Sequence, residues 1–431
     1  PAGVCCPYAS ITVSQVNFWV AALIAGVFLA YALVSRRLSQ SVFSGPMIFA
    51  AFGLLIGPQV LGWVELEISN SVIHTLAEVT LVIVLFTDAA DADLRALTRS
   101  RGLPTRMLLI GMPLVVVFGT LAALGLFPHW GLWEAALLAA ILAPTDAALG
   151  QAVTESEAVP SQVRAAIKTE SGLNDGLALP LVLLFAVLAS GAGDTGAGHW
   201  LELIGLQLVL GPVAGILVGY IGGKLIGIAL DRGWMSEWAE GIAAMAIALG
   251  AFALAEAVHG NGLLAAFAGG LAFGKGLGRK CHFLSEFQQT EAHMLVMVTF
   301  LVVGAMLMPL ASQHFSVACF AFAIFALTLM RMVPIAISLT GLKLGRETVA
   351  FLGWFGPRGL ASVLFVLLIV EQTDFARKHE LLAAVVLTVA LSIIAHGVSA
   401  APWARRLGRA AAGDATRPAS DSSNSTKADP T

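Results

Sequence analysis

Two carboxylates, a hydroxyl and an amide fall within the run Glu170-Ser171-Gly172-Leu173-Asn174-Asp175, in the middle of a long apolar segment. Other apolar segments also carry polar groups: Ala143-Pro144-Thr145-Asp146, then Arg331, then Phe355-Gly356-Pro357-Arg358-Gly359, and Asp88, Asp91 and Asp93. A carboxylate taken out of water either gives up its charge to a proton or holds a counter-cation. Ionisable groups at membrane depth are costly and mark ion and proton pathways. These residue types therefore suit reversible binding of a small cation or a proton. They do not suit group transfer. No nucleophile–base pair or metal-ligand histidine cluster lies within the apolar segments, because His74, His259 and His396 sit near segment ends and far apart in sequence.

Helix geometry divides the hexapeptide. Positions i and i+4 share a face, so Ser171 and Asp175 point one way and Glu170 and Asn174 about 100° away. One pair can face an aqueous cavity while the other braces a neighbouring helix. Glu170 and Arg331 are expected to form a buried, structural ion pair.

The elements that must position these groups follow from composition. Hydrophobic residues make up 58% of 431 positions and charged residues 12%, with a mean hydropathy of +0.86. A soluble domain carries about 25% charged residues, so the chain is an all-α polytopic membrane protein. A net charge of −3 gives no basis for a nucleic-acid partner. Cys5, Cys6, Cys281 and Cys319 show neither metal-ligand spacing nor a disulfide framework and are read as unpaired. No basic region precedes the first apolar stretch, which is read as a retained span.

A spanning helix needs about 20 apolar residues. Thirteen candidates lie near 12–34, 43–63, 72–94, 105–127, 132–153, 161–190, 201–230, 235–258, 260–277, 291–310, 315–341, 348–370 and 380–401. With the N-terminus outside, the inner segments collect most of the 24 basic residues, while Arg377 and Lys378 lie in an outer loop. Basic residues favour the cytoplasmic side, so the expected topology is N-out and C-in. Residues 1–403 are expected to form the membrane domain, and 404–431 a disordered cytoplasmic tail rich in Ser, Asp, Ala and Pro. Glycines 211, 215 and 219 in the seventh span suit close helix packing, read as an intrachain contact.

Depth links the polar groups. Asp146 lies about 20 Å along the fifth span, Arg331 about 22 Å along the eleventh and Arg358 about 15 Å into the twelfth, at the helical rise per residue. Pro144 and Gly-Pro-Arg-Gly interrupt the fifth and twelfth helices. Irregular backbone at this depth is tolerated only against protein or a water-filled cavity. Two interrupted helices in the two halves of a chain point to a transporter's binding site.

Taken together, Ala-Pro-Thr-Asp, Glu-Ser-Gly-Leu-Asn-Asp, Arg331 and Gly-Pro-Arg-Gly resemble the monovalent cation:proton antiporters, closest to the NhaP-type branch that includes the Na⁺/H⁺ exchangers. The resemblance extends from about residue 15 to 403. It implies a homodimer with two inverted six-helix repeats, in which spans 5 and 12 are a crossed, unwound pair. It also implies a mobile core of about 105–190 and 315–401 against scaffold helices of about 12–94 and 201–310. Asn174-Asp175 resembles the branch thought electroneutral. Three positions depart from the family pattern: Ala147 where proline is frequent, Gly172 where a larger residue is common, and Pro357 where leucine is common.

The expected mechanism is competition between H⁺ and Na⁺ (or Li⁺) for Asp175. Ser171, Asp146 and the Thr145 carbonyl are the expected oxygen ligands, and Asp88 is expected to line the inner funnel. Glu170 neutralises Arg331, and Arg358 offsets Asp146. Asn174 belongs to the support. A K⁺/H⁺ antiporter is the main alternative and a passive cation channel a weaker one. No cofactor is expected. The expected setting is the inner (plasma) membrane, with a role in pH homeostasis.

Overall fold

The computed structural model describes residues 18–38, 43–63, 71–92, 102–154, 156–190, 197–278, 293–372 and 375–415. Every regular element among the described residues is helical. The first helices are α1 (Phe18–Leu38), α2 (Gly45–Ile56), α3 (Ser71–Asp91) and α4 (Leu103–Leu126). The fifth expected segment is two helices, α5 (Leu132–Ile141) and α6 (Ala147–Thr154). Then come α7 (Ser161–Ala189), α8 (Ala197–Asp231), α9 (Glu237–Ala257), α10 (Gly262–Leu277) and α11 (Met294–Ser312). The eleventh segment splits at Thr328 into α12 (Val317–Leu327) and α13 (Leu329–Ser338). The twelfth splits into α14 (Arg346–Trp354) and α15 (Leu360–Gln372), and the chain closes with α16 (Lys378–Ala415).

Among the described residues, eight helical segments are long and apolar enough to cross a membrane, and the chain is a multi-pass membrane protein. The difference from the thirteen expected spans falls on α2, α3, α10 and the segments divided into α5/α6 and α14/α15. A helix interrupted in its middle no longer offers a full-length apolar run.

Local sequence explains several ends. Ser316 Oγ accepts from Cys319 N at 3.2 Å to start α12, and Asn261 Oδ1 accepts from Leu264 N at 2.9 Å to start α10. Glu134 reaches back to accept from Gly131 N at 2.7 Å, closing the first turn of α5. Thr328, with φ −114° and ψ −93°, interrupts the ladder between α12 and α13, a break with no proline or glycine to announce it.

The core is centred on α5, α15 and α16. Leu381 through Val386 on α16 are buried one after another, so that stretch is enclosed on all sides. The glycines of α8 face α10. A Cβ on Gly211 would lie 2.5 Å from Asn261 O, and Cβ atoms on Gly215 and Gly219 would run into Ala265 O and Gly269 O. The contact is intrachain, as expected.

The tail boundary at 403 is corrected. α16 runs on to Ala415 because Ala400, Ala404 and Leu407 keep one apolar face, buried with Val159 and Val163. Arg406 Nη2 also pairs with Glu347 Oε1 at 2.9 Å. The rest of the expected tail, from 416 on, lies outside the described residues.

Candidate functional site

The broken helices cross at their breaks. The Asp146 amide, at the start of α6, donates to Pro357 O at 2.8 Å, joining the two irregular segments backbone to backbone. Four half-helix ends meet here, and each has exposed backbone dipoles. Asp146 serves two of them: Oδ1 accepts from Leu149 N at 3.3 Å in the first turn of α6, and Oδ2 accepts from Leu360 N at 2.7 Å at the start of α15. Arg358 serves the opposite pole. Its Nη1 donates to Ala143 O at 2.7 Å and Pro144 O at 2.9 Å, beyond the C-terminal end of α5. Ser362 Oγ adds a bond to Ile141 O at 2.7 Å.

Arg358 and Asp146, expected to offset each other's charge, each bond to backbone groups of the crossing. One guanidinium nitrogen of Arg358, Nη1, is given to carbonyls, and the Asp146 carboxylate accepts from backbone amides. The reason is electrostatic: the end of α5 presents partial negative charge and the starts of α6 and α15 partial positive charge, immediately beside each side chain. Arg358 is 0% exposed, and its Nε and Nη2 have no hydrogen-bond partner among the described residues.

The glycines of Gly-Pro-Arg-Gly are required by close approach. A Cβ on Gly356 would overlap the Arg331 guanidinium, and one on Gly359 would overlap the Asp146 carboxylate. Arg331 is the expected partner of Glu170. Nη1 donates to Oε1 at 2.9 Å and Nη2 to Oε2 at 2.8 Å, with both side chains buried. The bidentate geometry joins α13 to α7.

The remaining hexapeptide groups gather on Thr145, in the break between α5 and α6. Asn174 Nδ2 donates to Thr145 Oγ1 at 2.6 Å, and Ser171 Oγ lies 3.1 Å from the same oxygen. Asn174 thus ties α7 to the break between α5 and α6. Ser171 shares that contact, although helix geometry assigned it to the other face. Thr145, expected to offer its carbonyl, also commits its hydroxyl. Asp175 sits one turn further along α7. It is 7% exposed, and its Oδ1 is buried without a hydrogen-bond partner among the described residues.

Asp88 approaches from α3 and is half-buried. Its carbonyl oxygen lies 3.3 Å from where a Cβ on Gly172 would stand, which places α3 against the hexapeptide. Asp91 pairs with Lys168 at 2.6 Å in a partly exposed contact, consistent with an interfacial charged face. Asp93 and Arg95 lie outside the described residues. Sequence reading did not single out Ser362, Thr328 or Ser392, whose Oγ accepts from Arg358 N at 2.7 Å. Only an i, i+4 register of Ser392 with His396 hints at the last of these.

The chain resembles known proteins along most of its length. It is 26% identical over 381 residues to Na(+)/H(+) antiporter 2 of Zygosaccharomyces rouxii, across 82% of this chain and 46% of that protein. It is 24% identical over 353 residues to K(+)/H(+) antiporter NhaP2 of Shewanella oneidensis, across 80% of this chain and 59% of the relative. The chain thus spans about half the length of these curated relatives. Its fold matches the sodium proton antiporter MjNhaP1 from Methanocaldococcus jannaschii with a TM-score of 0.72 at 17% identity, over 91% of this chain and 97% of that one. The transmembrane model of the sodium/hydrogen exchangers matches residues 23–406, nearly the whole helical domain that holds the crossing, and the chain belongs to that family.

Proposed function

We propose that the chain is a secondary active antiporter, not an enzyme, exchanging Na⁺ (or Li⁺) for H⁺ one for one by alternating access. Asp175 is the shared site. The observation that carries this is a contrast within the crossing. Glu170 is neutralised by Arg331 and Asp146 caps two helix starts, while Asp175 is the carboxylate of the crossing that keeps a buried oxygen unpartnered among the described residues. A buried carboxylate without a hydrogen-bond donor needs a proton or a cation. Ser171, Thr145 and Asp146 supply neighbouring oxygens for a hard cation, with Asn174 as brace and Asp88 lining the inner approach. With either passenger the site is neutral, and when empty it is charged. Moving the empty site through low dielectric is costly, which couples the two fluxes.

The same reading places the moving core at about 105–190 and 315–401 and the scaffold at about 12–94 and 201–310. The protein would work without a cofactor, as a homodimer in the plasma membrane with its N-terminus outside, in pH homeostasis. A K⁺/H⁺ antiporter is the second reading, supported by the NhaP2 relative's name.

The test is proton movement in proteoliposomes after separate addition of Na⁺, Li⁺ and K⁺. Na⁺ and Li⁺ are expected to drive proton flux. A response to K⁺ alone selects the second reading. Cation flux without proton flux overturns antiport in favour of a channel.

A further inference from the structure

A continuous helix through the twelfth segment would bond Arg358 N–H to the Trp354 carbonyl, four residues back. That bond is absent: Trp354 O accepts instead from Gly356 N at 2.8 Å, and both ends of the missing bond also meet side chains of α16. Arg358 N donates to Ser392 Oγ at 2.7 Å. His396 Nε2 lies 3.0 Å from Trp354 O. Ser392 and His396 are one turn apart on α16, and Ser392 Oγ lies 3.1 Å from His396 Nδ1. Both residues are buried.

One arrangement of protons gives every hydrogen of this set an acceptor, although it sets the Nδ1 lone pair beside Ser392 O. Arg358 N–H uses a lone pair of Ser392 Oγ, so the serine hydroxyl hydrogen points to His396 Nδ1. The neutral imidazole then carries its hydrogen on Nε2 and donates to Trp354 O. With the hydrogen on Nδ1 instead, it would be given to Ser392 O, 2.9 Å away. The serine hydroxyl hydrogen would then lose its acceptor, and Nε2 would face the Trp354 carbonyl without a hydrogen between them. A doubly protonated ring would leave the serine hydroxyl hydrogen without a partner. Buried polar groups avoid both outcomes.

We propose that Ser392 and His396 are spliced into the missing helical hydrogen bond, as positioning residues that hold the α14/α15 break at its working width. Neither touches the ion or the proton. The proposal rests on the antiporter reading above. Pro357 removes one donor from the break and Gly356 N takes one lone pair of Trp354 O, yet the second lone pair of Trp354 O and the Arg358 N–H are left to close on each other at about 2.9 Å. The inserted serine and imidazole prevent that closure. The groups just beyond the splice are the ones that complete the crossing, since Arg358 Nη1 reaches Ala143 O and Pro144 O and Leu360 N reaches Asp146 Oδ2. Closing the break would draw them away from α5 and α6. The imidazole is itself fixed by the Trp354 ring, with centroids 5.3 Å apart, and Trp354 Nε1 donates to Ser399 Oγ at 2.8 Å.

The experiment compares His396→Gln, His396→Leu, Ser392→Ala and the Ser392→Ala/His396→Leu double variant with the wild-type full chain. Glutamine can accept from Ser392 with its carbonyl oxygen and donate to Trp354 O with its amide, so it preserves the splice. Leucine fills space but breaks both links. Two readouts are taken: half-saturating Na⁺ and maximal rate in proteoliposomes, and amide hydrogen exchange of the segment around Arg358. His396→Leu and Ser392→Ala are expected to raise half-saturating Na⁺ about tenfold, which is about 1.4 kcal/mol, with less effect on maximal rate and with lost amide protection. The double variant should be no worse than either single one, because one connection is cut twice. His396→Gln should stay within about twofold of wild type, the small margin left by a preserved network. Wild-type half-saturation and protection in His396→Leu overturn the splice, and so does glutamine as damaging as leucine. Should His396→Leu not fold, Ser392→Ala carries the same criteria. Absence of cation-driven proton flux in the wild type overturns the antiporter reading instead, and amide exchange still decides the splice.

Discussion

Arg331→Ala is expected to weaken folding far more than it weakens ion binding. The guanidinium makes two bonds to Glu170, at 2.9 and 2.8 Å, with the two side chains 3% and 4% exposed. Charge-assisted bonds of this kind contribute about 1.5–3 kcal/mol each. Truncating one partner also leaves an uncompensated buried charge, for a total of about 3–5 kcal/mol. Removing both charges, as Glu170→Gln with Arg331→Gln, leaves two amides that can bond to each other. That double variant should lose only about 1–2 kcal/mol, so the pair should show a coupling of at least about 2 kcal/mol. The assay is reversible chemical denaturation in detergent of the wild type and the two Gln single variants with their double, with Arg331→Ala alongside. Half-saturating Na⁺ is measured on the same preparations. Gln single-variant losses that add within about 0.5 kcal/mol refute the coupled pair. Wild-type stability of Arg331→Ala with abolished Na⁺ dependence would move Arg331 from the support into the ion site.

Asp175→Asn should fold and lose exchange, because an amide cannot trade a proton for a cation; robust Na⁺-driven proton flux from it would remove Asp175 as the carrier. Exchange should be electroneutral, tested by imposing a membrane potential at fixed pH gradient. A rate and end-point that both follow the potential would make Asp146 the leading second carrier. Gly359→Ala should cost about 1–3 kcal/mol and impair transport, because its methyl group must displace the Asp146 carboxylate; a thermal melt and flux equal to wild type would contradict the close approach. Lys168→Ala should change stability by less than about 1 kcal/mol, since its pair with Asp91 is 64% and 26% exposed. A larger loss in the same denaturation assay would show that the pair is more than interfacial.

Much of this was legible in the chain. Glu170 and Arg331 are ionisable groups at matching depth, and such groups must find each other. Pro144 and Gly-Pro-Arg-Gly forbid a regular ladder, so both breaks are written in the sequence. Other features were not, for physical reasons. Asp146 and Arg358 have opposite charges at similar depth, which suggests a pair, yet each lies nearer to helix ends of the complementary sign. Sequence depth does not report how two helices cross. Thr328 breaks its helix without any residue that demands it. The end of α16 reads as a polar tail because its buried apolar face is narrow, with Ala404 and Leu407 set among Arg405, Arg406 and Arg409.

The glycine seam between α8 and α10 behaves like a ratchet. Positions 211, 215, 219 and 223 each meet a backbone carbonyl of the facing helix, at Asn261, Ala265, Gly269 and Phe273. A slip of a fraction of a turn would drive those carbonyls into side chains. The next seated position lies one full turn away, about 5.4 Å along the axis. The two helices therefore behave as a single bar under load. Any gliding of helices past one another must take place along other seams, where side chains interdigitate and can repack.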